Sequence, residues 1–139
     1  MAMIDLHVHS TASDGTCSPS QVVELAKKAG LKAIALTDHD TVSGVAEALK
    51  AGQENGVRVI PGIELSSIYE GTEIHILGLF VRPDDPDFLA ALKHFSAIRQ
   101  ERNEEMLRRF KDAGIHLPME ILTGSNPHTV ITRAHVARA

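Results

Sequence analysis

Two histidines two residues apart, His7 and His9, stand at the mouth of the first apolar stretch, and Asp14 follows five residues after His9. A strand alternates its faces, so residues two apart point the same way. The pair therefore aims two imidazoles at one spot, with Ile4, Leu6 and Val8 turned the other way. Imidazole is the commonest metal ligand, yet an isolated pair beside a turn is equally compatible with two unrelated histidines. His39, Glu64 and His75 enlarge the set. Mixed imidazole and carboxylate donors suit zinc, manganese or iron better than magnesium or calcium, which prefer all-oxygen shells. A glutamate such as Glu64 has two oxygens and can bridge two cations. Ions about 3.5–4 Å apart can hold both the attacking and the leaving oxygen of a phosphoryl displacement.

Positioning these groups requires a particular order of elements. Ile4–Val8 reads as a strand, followed by a polar turn with Asp14-Gly15. Ser18-Pro19-Ser20-Gln21 reads as a capping box with proline at the first helical position. Val22, Leu25, Ala26 and Ala29 then fall at helical spacing up to Gly30. A second strand over Ala33–Thr37 leads into Thr37-Asp38-His39-Asp40. A second helix is expected from Gly44 to Glu54. A third strand starts at Val57–Ile60 and runs through Pro61-Gly62 to Ile63-Glu64-Leu65, and a fourth covers about Glu73–Val81. Strand, helix, strand, helix, strand predicts βαβ units and a parallel sheet. His7, His9, His39 and Glu64 then all fall at carboxyl ends of strands, where α/β folds gather ligands. Beyond Pro83 the pattern turns helical, with one long helix expected from Asp87 to Ala113. It carries an apolar stripe including Leu89, Leu92 and Phe95, and i,i+4 pairs Glu104–Arg108 and Glu105–Arg109. "LPMEIL" predicts a short helix, and Thr132 a cap for a last helix over "RAHVARA".

The bulk properties fit one domain of 139 residues with 43% hydrophobic content and a net charge of −4. That charge argues against a broad basic nucleic-acid surface but leaves room for a small nucleotide held by a metal and a few arginines. The single cysteine, Cys17, forms no internal disulfide and no zinc-finger spacing; packing is its expected role, and a reducing, cytoplasmic setting is expected. No apolar run approaches the roughly 20 residues of a membrane span, so no membrane partner is expected.

The segments "DLHVHSTASDGTCSP", "ALTDHDTVSG", "VIPGIELSS" and "EIHILGLFV", in this order, are similar to the ordered motifs of the PHP (polymerase and histidinol phosphatase) family. The later "AIRQERNEEMLRRF" and "ITRAHVARA" resemble its TrpH/YciV-type phosphoesterase branch. The resemblance implies an α/β fold, a distorted (β/α)7 barrel. Residues 1–82 would be the N-terminal part of that barrel and carry the ligand motifs. Residues 83–139 would be a mainly helical segment cut short at its C-terminal end. It implies two or three divalent ions (manganese, zinc or iron): one held by His7, His9 and Glu64, one by Asp14 and His39, and one by Glu64 and His75. No catalytic residue beyond these ligands is implied, since metal-activated water is the nucleophile and no covalent enzyme intermediate forms.

The branch removes the 3′-phosphate from 3′,5′-nucleoside bisphosphates, and some members are 5′→3′ exonucleases on short RNA, so a small nucleotide or short oligonucleotide is the expected substrate. Other readings stay open: a histidinol-phosphatase-like activity, a proofreading-type exonuclease module, or an inactive, incomplete half-barrel. The family's later histidine and closing Asp-x-His have no counterpart in these 139 residues. The chain is therefore expected to be an N-terminal fragment whose unpaired strand edges favour self-association. Arg99, Arg102 and Asn103, on one helix face, and Arg133 and His135, in "TRAH", are the expected phosphate-binding residues, arginine being suited to fork onto phosphate oxygens. Asp38 and Asp40 are expected as turn residues or beside the ligands, where a carboxylate fixes a histidine's tautomer, rather than as ligands themselves. His94, His116 and His128 are expected on the surface.

Overall fold

The computed structural model describes residues 3–123 and 129–139. Its elements run β1 (Met3–Val8), α1 (Pro19–Lys28), β2 (Leu31–Leu36), α2 (Val45–Asn55), β3 (Arg58–Tyr69), β4 (Thr72–Leu79), α3 (Pro86–Asp112), α4 (Met119–Thr123) and α5 (Arg133–Arg138). The strands form one sheet in the order β1-β2-β3-β4. β1 pairs parallel with β2, and β2 parallel with β3, as the alternation of strands and helices requires.

β4 departs from the parallel expectation. It returns antiparallel along β3, from Gly62 opposite Leu79 to Tyr69 opposite Thr72. Glu70 and Gly71 between them both have positive φ, 48° and 77°. Two consecutive positive φ values belong to the two-residue turn whose twist matches a hairpin. β3 therefore holds β2 with its first half and β4 with its second. It is a single 12-residue strand that runs through Pro61-Gly62, as expected, and continues past Leu65 to Tyr69.

Helices α1 and α2 cover one face. Val22, Val23 and Ala26 of α1 and Val45, Ala48 and Ala51 of α2 meet Ile34 and Leu36 of β2 and Ile63 of β3 in one buried cluster. The N-terminus of α1 is built as the sequence specifies. Ser18 accepts from the Gln21 amide, Gln21 returns the bond to the Ser18 amide, and Pro19 opens the first turn. His94 and His116 are exposed; His128 lies outside the described residues. Among the described residues no helix is long and apolar enough to cross a membrane.

α3 buries little apolar surface: Leu92 is buried, while Leu89 and Phe95 are each 43% exposed. Its expected Glu104–Arg108 pair gives way to Glu104 accepting from Gln100, while Glu105 holds both Arg108 and Arg109. The other residues α3 buries are polar, Arg99 and Asn103. Arg99 Nε donates to Asp40 Oδ2 at 2.9 Å, its Nη2 reaches the same carboxylate and Ser66 Oγ, and Nη1 donates to the Ile131 carbonyl. Asn103 donates to that carbonyl at 3.2 Å. This buried pair joins the β2–α2 loop, β3, α3 and the C-terminal segment. Removing one partner of such a pair leaves an uncompensated charge. Arg99→Ala is expected to destabilise the fold by about 3–5 kcal/mol, read as a lowered midpoint in urea unfolding.

Candidate metal centre

The six residues singled out for metal chemistry converge on one face of the sheet. Strand alternation carries His7 and His9 to the same side of β1, and both Nε2 atoms lie 2.8 Å from Glu64 Oε2. Glu64 is set by backbone pairing: Asp40 N donates to its carbonyl at 2.9 Å, and its amide donates to the Asp38 carbonyl at 3.1 Å. This isolated parallel bridge places His39 beside Glu64. It lies just past the last β2–β3 ladder pair, Leu36 with Pro61, so Glu64 stands in mid-strand yet at the end of the parallel part of β3. His75 sits opposite Ser66 on β4, one diagonal step from Glu64, and its Nδ1 is 2.6 Å from Glu64 Oε1.

Asp14 arrives by a loop that folds back on β1. Ser13 and Gly15 amides donate to the Ser10 carbonyl, and a side chain at Gly15 would place its Cβ 2.6 Å from the His9 carbonyl oxygen. Asp38, fully buried, clamps this loop by accepting from the Ser10 amide (2.8 Å), Ser10 Oγ (2.7 Å) and Ser13 Oγ (2.6 Å). Asp14 Oδ1 then meets His9 Nδ1 at 2.7 Å, and Oδ2 lies 3.4 Å from His39 Nε2. Of the two roles expected of Asp38 and Asp40, they take that of turn and loop anchors and, among the described residues, do not bond a histidine ring. Their hydrogen bonds go to serines, to the Ser66 amide and to Arg99. Buried just past the carboxyl end of β2, they are held by the nearest donors, which lie in the β1–α1 loop, on β3 and on α3.

Three donor groups could each hold an ion: His7, His9 and Glu64; His9, Asp14 and His39; and His39, Glu64 and His75. Donors sharing an ion at about 2.0–2.2 Å stand roughly 3 Å apart, close to the 2.6–2.8 Å separations around Glu64. His39 Nδ1 is buried, 3.7 Å from Glu64 Oε2, and lacks a hydrogen bond among the described residues, as expected of a lone pair aimed at a cation; His9 Nε2 lies 2.8 Å from Glu64 Oε2 but outside hydrogen-bond alignment. A neutral imidazole offers one lone pair. With Nδ1 held by Asp14, His9 serves the Glu64 side through Nε2.

The expected phosphate residues divide. A cavity of about 170 Å³ opens beside the cluster, where Asp14, His39 and His75 share the wall with Arg102 and Arg133. Arg99 also borders it, but its guanidinium is committed to Asp40, and Asn103 is buried beneath. His135 turns away and bonds the Thr132 amide through Nδ1 at 3.1 Å, completing the cap of α5. Sequence reasoning missed Glu73, which lies between His75 and Arg133. The available signal was its i,i+2 spacing from His75 on a strand. It missed Ser66 as well, which presents its hydroxyl to Arg99.

The charges couple strongly. Hydrogen bonds from His39 and then His9 hold the Asp14 carboxyl far below the usual carboxylate range. Burial opposes ionisation of Glu64, but His7, His39 and His75 outweigh it and lower its pKa. Burial pulls His9 down, yet Asp14, Glu64 and Asp38 raise it on balance. His75 is likewise raised against burial, by Glu73 and Glu64. In the metal-free chain, the stabilising contribution of Asp14 is present above the ordinary carboxylate range and fades as pH falls below about 4. The contribution of His9 and His75 is complete below about pH 6.5 and fades as pH rises through their raised values. Thermal unfolding in EDTA is expected to show greatest stability between these limits, with Asp14→Asn flattening the acid limb.

The PHP domain pattern matches residues 5–129. The chain is 41% identical over 134 residues to a 5′-3′ exoribonuclease of Haemophilus influenzae, covering 96% of this chain and 48% of the relative. It is 37% identical over 140 residues to a 3′,5′-nucleoside bisphosphate phosphatase of Chromobacterium violaceum, covering 99% and 49%. A solved structure from Bifidobacterium adolescentis, assigned as a metal-dependent phosphoesterase, superposes with a TM-score of 0.88 at 30% identity, over 97% of this chain and 48% of that one. The chain spans about half the length of the curated relatives it matches. Its four-stranded sheet and covering helices form part of the barrel architecture that the ordered motifs imply. The chain belongs to the PHP domain family.

Proposed function

We propose that this chain carries the metal-binding part of a phosphoesterase that hydrolyses a nucleotide phosphate. The observation that carries the reading is the shared cavity, in which a cluster of imidazoles and carboxylates faces Arg102 and Arg133. The proposed ligands are His7, His9 and Glu64 for one ion, Asp14 and His39 for a second, and Glu64 with His75 for a third. Manganese, zinc or iron suits these donors. Divalent ions there would lower the pKa of bound water toward about 7 and offset charge developing on phosphoryl oxygens.

The protein's own groups do the rest. Arg102 and Arg133 fork onto the phosphate and orient it for in-line attack. Arg99 and Asn103 act one step removed, fixing α3 and the Ile131 carbonyl just before the turn that presents Arg133. His135 caps the helix that carries Arg133. The substrate class draws support from the relatives that act on nucleoside bisphosphates and RNA: a nucleotide 3′-phosphate or a short oligonucleotide.

The test pairs metal content with turnover. The purified chain, loaded with Mn²⁺ and desalted, is expected to retain more than one equivalent by elemental analysis and to release phosphate from adenosine 3′,5′-bisphosphate. EDTA is expected to abolish release, and Glu64→Gln to lower kcat/KM by at least about 100-fold. Faster turnover of histidinol phosphate would select the other substrate class. Unchanged turnover by Glu64→Gln would assign the activity to a contaminant.

A further inference from the structure

His75 has two ring nitrogens and a carboxylate on each. Nδ1 lies 2.6 Å from Glu64 Oε1, and Nε2 lies 3.2 Å from Glu73 Oε1. Glu73 and His75 are two apart on β4, so both project from the same face, Glu73 opposite Ile68 and His75 opposite Ser66. The second oxygen of Glu73 is tied across the cavity: Oε2 is 2.6 Å from Arg133 Nη2, and Arg102 Nη1 stands 3.9 Å from Oε1. The carboxylate is thus anchored by the C-terminal helix on one side and presents its free edge to the ring on the other.

We propose that Glu73 is the positioning residue for His75: it accepts the Nε2–H and so leaves the Nδ1 lone pair for the ion shared with Glu64. The assignment rests on the metal-centre reading above and deepens it. A neutral imidazole carries one N–H and one lone pair, so whichever nitrogen donates decides which can ligate. Without a fixed acceptor on Nε2, His75 divides between two tautomers, and the Nδ1–H form turns a proton toward Glu64. A carboxylate in this place removes the wrong tautomer, holds the ring plane and raises the basicity of the ligating nitrogen. Asp38 and Asp40 cannot do this for His75, because their oxygens are committed to Ser10, Ser13, Ser66 and Arg99. Glu73 also connects the two halves of the cavity, since the carboxylate that orients a ligand holds an arginine placed for phosphate.

The test uses the full 139-residue chain with two readouts independent of turnover. Calorimetric titration with Mn²⁺ gives affinity and stoichiometry. Long-range ¹H–¹⁵N spectra of the Zn²⁺-loaded protein report which histidine nitrogen carries the proton. The wild type is expected to show His75 protonated at Nε2 and zinc-shifted at Nδ1. Glu73→Ala is expected to bind its weakest Mn²⁺ about tenfold less tightly or worse and to lose the protected Nε2–H. Glu73→Gln keeps an oxygen acceptor without the charge and is expected to retain most of the affinity. Equal Mn²⁺ affinity in Glu73→Ala, or a wild-type ring protonated at Nδ1, overturns the assignment. So does a Glu73→Gln variant no better than Glu73→Ala, because the carboxylate would then act through charge alone. Should Glu73→Ala fail to fold, the wild-type ring spectrum and Glu73→Gln decide. A wild-type chain that takes up no Mn²⁺ overturns the metal-centre reading and this assignment together; uptake that is indifferent to Glu73 overturns this assignment alone.

Discussion

Glu64 is a carboxylate almost wholly withdrawn from water, with its side chain 5% exposed, and four imidazoles gather around its two oxygens. A buried charge is tolerated only where partners replace its hydration. Much of the local architecture follows from that requirement. β3 must exchange one neighbour for another at this point, so that His39 reaches Glu64 from the β2 side and His75 from the β4 side. β1 must end where His7 and His9 both face the same oxygen. The same arrangement that makes the carboxylate bearable without a cation gives three overlapping donor groups fit for one.

A second layer of buried charge holds this first one in place. Asp38 fixes the serine loop that delivers Asp14, and Asp40 fixes Arg99 and the Ser66 amide. Each is a carboxylate with several donors, the setting in which an ionised group remains stable in a poorly hydrated interior. α3 illustrates the consequence. Its Leu89 and Phe95 remain well exposed, while Arg99 and Asn103 are buried, so polar bonds rather than a wide apolar face orient this helix. These bonds fix where the Ile131 carbonyl lies, and Thr132 and Arg133 follow it directly.

The apolar part of the structure is lopsided in a related way. α1 and α2 seal β2 and the first half of β3, leaving Ile34, Leu36 and Ile63 almost fully buried. Met3 and Ile4 on β1, and Tyr69 and Ile76 on the hairpin, are half exposed or more. Strands as uniformly apolar as these are patterned for cover on both faces. Among the described residues that cover is complete at the centre of the sheet and thin at its two edges. The chain matches about half the length of its curated relatives.

Local chemistry made much of this legible in the sequence. The Ser18 capping box, the Thr132 cap, the βαβαβ order and the pairing of His7 with His9 all depend on residues close along the chain, and short-range periodicity and capping specify such features. The six candidate ligands were also legible as types: His7, His9, His39 and Glu64 at carboxyl ends of strands, Asp14 in a turn and His75 within a strand. What the sequence could not decide was which oxygen meets which nitrogen. The antiparallel return of β4 rests on a two-residue turn, Glu70-Gly71, that lacks the usual Asn-Gly or Asp-Gly signature. The diversion of Asp38 and Asp40 to serines and Arg99, the burial of Arg99, and the position of Glu73 between His75 and Arg133 all join residues far apart in the chain. A carboxylate takes the nearest well-placed donors, and only the folded backbone determines which donors those are.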